Sequence, residues 1–115
     1  MADREFTMRD QRRALNEAAF RRINERIRSV NEGFAPWTGQ FSVVCECDDA
    51  SCIEQIVITD DIYEQVRDDP TLFVVRPGHE APKVETGDVI KGDDLIVRKR
   101  EGKPAQIARA TDPRD

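Results

Sequence analysis

Apolar residues in the first third of the chain recur with a helical period. Leu15, Ala19, Ile23, Ile27 and Val30 follow one another at intervals of four, four, four and three, with Phe20 beside them. Those intervals place them along one stripe of an α-helix. Residues 5–32 contain no Gly or Pro and are rich in Arg, Ala, Glu, Gln and Leu, all good helix formers. Glu17 and Arg21 stand four apart in the order that favours an ion pair along a helix. Gly33 supplies a C-terminal stop, with Pro36 beyond it. The pattern predicts an amphipathic helix occupying residues 1–32.

After GFAPWTGQ, a linker over 33–40, the period changes. Short β-branched or alternating runs predict strands over 41–45, 54–59, 72–76, 83–90 and 95–100. The last two flank Gly92-Asp93-Asp94, a hairpin signal. Between the second and third strands, TDDIYEQVRDDP predicts a short helix capped by Thr59 or Asp60, with Ile62 and Val66 facing inward and Pro70 ending it. Residues 106–110 read equally as a last strand or a helical turn, and 111–115 as a polar tail. The expected fold is α+β: a long N-terminal amphipathic helix, then a small antiparallel β domain over 41–110 with one short helix.

Composition sharpens this reading. Of the 115 residues, 38% are hydrophobic, 36% charged and only 6% aromatic, so the core is small and a staple would help it. A helix over 5–32 would be about 42 Å long, whereas a domain of the remaining size is only about 30 Å across. Part of the helical stripe should therefore stay free for a partner. Charge divides along the same line: residues 1–30 carry eight Arg against five acids, whereas residues 31–115 carry ten basic and 18 acidic side chains. No apolar run is long enough to cross a membrane. The charged N-terminus lacks the apolar segment of a secretory signal, which points to the cytoplasm.

The three cysteines all fall within VVCECDDASCIEQ, as Cys45-x-Cys47-x4-Cys52, and the sole histidine is His79 in Arg-Pro-Gly-His-Glu. Residues i and i+2 of an extended segment point the same way, so Cys45 and Cys47 can grip one ion. Asp48–Ser51 lets the chain turn back to present Cys52, and a Pro-Gly turn delivers His79. Three thiolates and an imidazole fill a tetrahedral Zn²⁺ site, leaving no open position for water, which makes it structural rather than catalytic. Free buried thiols, a disulfide and a redox switch are the competing readings. The acids Glu46, Asp48 and Asp49 raise the thiol pKa values without metal and oppose the switch.

With His79 committed to metal, Ser and Cys nucleophiles lack a base, and no Gly-rich phosphate loop is present. The pairs Asp60-Asp61, Asp68-Asp69 and Asp93-Asp94 each have a structural reason at a helix start, before a proline and in a turn. The chain reads as non-catalytic. The stripe residues Leu15, Phe20, Ile23, Ile27 and Val30, with Arg22, Arg26 and the linker's Trp37, form the expected surface for a protein partner or a second copy. A zinc–thiolate redox or metal sensor is the alternative. Nucleic-acid binding by the arginines comes third, because residues 46–69 hold nine acids and one Arg, and an acidic body beside DNA costs affinity.

Four stretches together resemble a group of small uncharacterised bacterial proteins. They are Asn16-Glu-Ala-Ala-Phe-Arg-Arg-Ile-Asn-Glu-Arg-Ile27, Cys45-Glu-Cys47 with Cys52, Val75-Arg-Pro-Gly-His-Glu80 and Thr111-Asp-Pro-Arg114. The resemblance implies the architecture of a helix preceding a small zinc-stapled domain, as in modules of transcription or stress regulation. It implies no activity.

Overall fold

A computed structural model describes residues 6–31, 39–91 and 94–114. Helix α1 runs over Met8–Asn31. Its start is a reciprocal cap: the Thr7 amide donates to Asp10 Oδ2 at 2.9 Å and the Asp10 amide donates to Thr7 Oγ1 at 3.1 Å. Two of the donors that every helix start leaves over are thereby satisfied. Strands β1 (Gln40–Val44) and β2 (Gln55–Thr59) form an antiparallel pair. Both alternate exposed and buried positions, with Phe41, Val43, Ile56 and Ile58 inward. This is the period-two pattern of a half-buried ribbon.

Helix α2 (Asp60–Arg67) follows β2 directly, and Thr59 Oγ1 accepts from the Ile62 amide as the sequence suggests. β3 (Leu72–Val75), β4 (Glu85–Lys91) and β5 (Asp94–Lys99) make a second antiparallel sheet in the order β3-β5-β4. Its β4–β5 register shifts between Thr86 and Val89. Lys91 pairs with Asp94, so the expected hairpin is present; its tip at 92 and 93 lies outside the described residues. The chain closes with α3 (Lys103–Ala110).

The core lies between the two sheets and under α2. Phe41 and Tyr63 meet edge to face at 5.3 Å, and Phe73, Val74, Val75, Leu95 and Val97 fill the rest. The α+β expectation holds with one correction to its elements. There are two short helices beside α1, not one. Of the two readings of residues 106–110 the helical one holds: they belong to α3, which carries a Pro in its first turn, where a missing amide costs nothing. Within the polar tail, Arg114 forks onto Glu25 of α1 and Glu64 of α2, with Nε–Oε1 at 2.6 Å and Nη2–Oε2 at 2.8 Å.

α1 lies on this body with an unusual face inward. Asp10, Glu17, Ala18, Arg21 and Asn24 are buried, whereas Leu15, Ile23 and Val30 are 49%, 46% and 66% exposed. Ala19 is also exposed, Phe20 is half-buried, and Ile27 is half-buried with a contact to the core. The predicted Glu17–Arg21 pair is replaced by contacts to the body. Glu17 accepts from Lys99 Nζ, which also donates to Glu85 at 2.6 Å. Arg21 donates to the carbonyls of Pro70 at 2.6 Å and Ala108 at 2.8 Å and lies 4.5 Å over the Phe73 ring. A surface helix ordinarily buries its apolar stripe; here most of the stripe faces solvent, with Ile27 alone of its members reaching the core, and polar side chains seat the helix.

Candidate metal centre

β1 ends at Val44 and the chain continues extended, so Cys45 and Cys47 point to one side. The turn that follows is set by Asp49, whose Oδ1 accepts from the Ser51 amide at 2.9 Å and the Ser51 hydroxyl at 2.7 Å. Its carbonyl accepts from the Cys52 amide at 3.0 Å. This local hydrogen bonding is the usual work of Asp in a turn, and it brings Cys52 back toward Cys45. The Cys45 amide also donates to the Glu54 carbonyl at 3.1 Å, extending the β1–β2 ladder past the loop.

His79 arrives from the end of β3 through Arg76-Pro77-Gly78-His79. The His79 amide donates to the Arg76 carbonyl at 2.9 Å, and Gly78 has φ +95°. Pro at the second position and Gly with positive φ at the third define a type II turn. Glu80 Oε1 accepts from the Gly78 amide at 2.7 Å and fixes the turn further.

The four ligand atoms lie within 4.8 Å of one another. His79 Nδ1 is 3.6 Å from both Cys45 Sγ and Cys52 Sγ. A sulfur at about 2.3 Å and an imidazole nitrogen at about 2.05 Å from one ion, at a tetrahedral angle, stand about 3.6 Å apart. The observed separations match that geometry. All three cysteines are free thiols, and the cluster is able to hold a metal ion. Cys45 and Cys47 are buried, while Cys52 and His79 are partly exposed, so one flank is open for an ion to enter.

Burial pushes the Cys45 thiol far up, with Cys47 and Cys52 adding to the rise, and pushes the Cys47 thiol up to about 11, where Cys52 adds and the contact with Cys45 opposes. A bound cation reverses that tendency, since coordination deprotonates a thiol outright. The Arg76 amide already donates to Cys45 Sγ at 3.3 Å, a contact suited to a thiolate.

Sequence reasoning missed what stands behind the cluster. Glu46 lies between two ligand cysteines and so points the opposite way, into the protein, where it is fully buried. It accepts from Arg67 Nη1 at 2.8 Å and Nη2 at 2.7 Å, from Asn24 Nδ2 at 2.7 Å and from the Val74 amide at 3.1 Å. Asn24 in turn pairs with both backbone groups of Val44, at 2.8 Å each. One stretch of backbone thus carries the ligands on one side and the anchor of α1 on the other. An acidic letter between two cysteines was visible in the sequence, but its partners lie in α1, α2 and β3.

Of the other expected site residues, Leu15, Ile23 and Val30 share the outward face of α1 with Arg22 and Arg26. Trp37 lies outside the described residues. No described helix is long and apolar enough to cross a membrane. No family model, curated protein or solved structure matches the chain.

Proposed function

We propose that this chain is a non-catalytic, zinc-stapled interaction module of the cytoplasm, of the kind used in transcription or stress regulation. Zn²⁺ held by Cys45, Cys47, Cys52 and His79 fixes the loop behind which α1 is seated, and the outward face of α1 docks a partner. The observation that carries this reading is the inverted helix. α1 buries Glu17, Arg21 and Asn24 and leaves Leu15, Ile23 and Val30 to solvent, and a contiguous exposed apolar face marks an interaction site. A four-ligand site is closed to substrate, and the sole histidine is one of the four ligands, which favours a structural ion.

Metal analysis of protein purified without added zinc tests the staple. One zinc per chain with protected thiols is expected; no metal and three reactive thiols would overturn it. Ile23→Asp tests the face. A residue turned to solvent should tolerate the charge within about 0.5 kcal/mol in urea unfolding, whereas a loss of several would mean the stripe is core.

A second reading is favoured by the Glu46 link: a zinc–thiolate sensor in which loss of metal frees α1. Peroxide-driven zinc release accompanied by exposure of α1 amides to hydrogen exchange would distinguish it from a passive staple.

A further inference from the structure

The outward face of α1 has a finer pattern than an apolar stripe. Leu15, Ala19, Ile23 and Val30 share it with Arg12 and Arg26, and Met8 lies at its start. The intervals from Met8 to Val30 are four, three, four, four, three and four, so the pattern repeats after eleven residues. An eleven-residue repeat is 3.67 residues per turn, close to the helix's own period, so the face runs almost straight. It spans about 33 Å. Arg12, Arg22 and Arg26 are exposed and have no hydrogen-bond or ion-pair partner among the described residues. Their neighbour Arg28, on the inward side, is paired with Asp60 and Glu64 at 3.1 and 3.0 Å. Among the described residues the acidic body therefore pairs the arginine that faces it and gives no hydrogen bond or ion pair to Arg12, Arg22 or Arg26, though Arg12 shares a groove with Asp48 and Asp49.

Resting on the docking reading above, we propose that this face takes an acidic amphipathic helix: a partner segment with an apolar stripe and with carboxylates opposite Arg12, Arg22 and Arg26. A second copy of α1 fits the apolar positions but not the charges. Paired parallel and in register, each of the three arginines meets itself. Turned end for end about Ala19, Met8 meets Val30 and Leu15 meets Ile23, yet Arg12 meets Arg26. Like charges placed across an interface oppose association. Carboxylates at those positions convert each clash into an ion pair, and the small Ala19 at the centre lets two helices approach closely. Recognition is then of the helix-in-groove kind, with apolar anchors supplying affinity and charge selecting the partner.

The test uses two labelled synthetic helices of about 22 residues, matching the length of the face. Both carry Leu at the stripe positions; one carries Glu and the other Lys opposite the three arginines. Fluorescence anisotropy with the full-length, zinc-loaded protein should show the Glu helix binding about tenfold tighter, as three exposed ion pairs together allow. Added salt should narrow that gap. The triple reversal Arg12→Glu, Arg22→Glu and Arg26→Glu should invert the order, and Ile23→Asp should abolish both, with the thermal melt showing each variant folded. Equal binding of the two helices, lost in Ile23→Asp, overturns the charge selection but leaves docking intact. Absence of binding together with a dimer that Ile23→Asp dissolves assigns the face to a second copy and overturns the inference. Binding that emerges only in Trp37→Ala assigns it to residues 32–38, with the same consequence. A monomer that binds neither helix overturns the inference and the docking reading together.

Discussion

Replacing Glu46 with alanine should be among the most damaging single changes in this chain. Glu46 and Arg67 are a bidentate pair whose side chains are 0% and 2% exposed. Removing one partner of a buried pair strands the other charge, at a cost of about 3–5 kcal/mol. The Val74 amide loses its acceptor as well, and an orphaned buried donor adds about 1 kcal/mol or more. The expected total is about 5 kcal/mol, comparable to the whole stability of a marginal domain at about 5–15 kcal/mol. Arg67→Ala should cost a similar amount, and the double variant little more than either, because each single change already breaks the pair. Metal should feel the same change. With Cys45 and Cys47 no longer anchored from behind, Zn²⁺ affinity should drop about ten- to a hundredfold, as it does when outer-shell support is lost. Urea unfolding of the zinc-loaded variants and chelator competition read the two effects. A Glu46→Ala variant destabilised by under about 1 kcal/mol, or single effects that simply add in the double, would refute the reasoning.

Two further changes probe the seat of α1 and the fourth ligand. Burial raises the Glu17 carboxyl to about 8, with Lys99 pulling it down and Glu85 pushing it up. A carboxyl whose folded pKa lies above its unfolded one favours the folded state below the unfolded value. That contribution is lost as pH rises through the window from about 4.3 to about 8. Unfolding free energy measured at fixed zinc saturation should decline across that range, and Glu17→Gln should flatten the decline; an unchanged slope in the variant would refute the assignment. At Gly78, φ +95° lies in the region that an L side chain resists. Gly78→Ala should cost about 1–2 kcal/mol and weaken zinc binding by displacing His79, and a variant with native zinc affinity would show that the turn does not position the ligand.

How much of this was legible in the sequence depends on the range of the interactions. β1 and β2 announced themselves through alternation and β3 and β5 through short apolar, β-branched runs, and Thr59, Pro70 and the 92–94 hairpin signal marked boundaries by local chemistry. The metal cluster was legible because its geometry is mostly local: an i,i+2 pair, a short turn and a Pro-Gly corner. α3 was the weaker reading because residues 106–110 are too short a run for their apolar spacing to separate a helical turn from a strand. The direction of α1 was not legible. Pattern reasoning assumes that the apolar stripe faces the body, whereas this body offers polar sockets. Asn24 fits the open backbone of Val44, Arg21 fits the carbonyls of Pro70 and Ala108, and Glu17 fits Lys99. Those partners come from 20 to 87 residues away. The only trace in the sequence was a second, polar stripe, Asp10, Glu17, Arg21, Asn24 and Arg28, lying opposite the apolar one.

A helix seated in this way responds differently from one held by hydrophobic contact. Apolar burial is non-directional and tolerates small shifts, whereas a hydrogen bond weakens steeply once its angle or length departs from the favoured range. α1 is held through Asn24 to Val44 and Glu46, and through Asn16 Nδ2 to the Asp48 carbonyl at 3.3 Å. All three acceptors lie immediately before or inside the cysteine loop. Any displacement of Cys45 and Cys47 therefore moves the acceptors on which α1 depends. An ion held by the cluster would keep those distances constant, and the outward face of α1 would inherit that rigidity. If the outward face docks a partner as proposed, the polar seat would make its presentation sensitive to the state of the cysteine cluster, an effect that a greasy helix–sheet interface would damp.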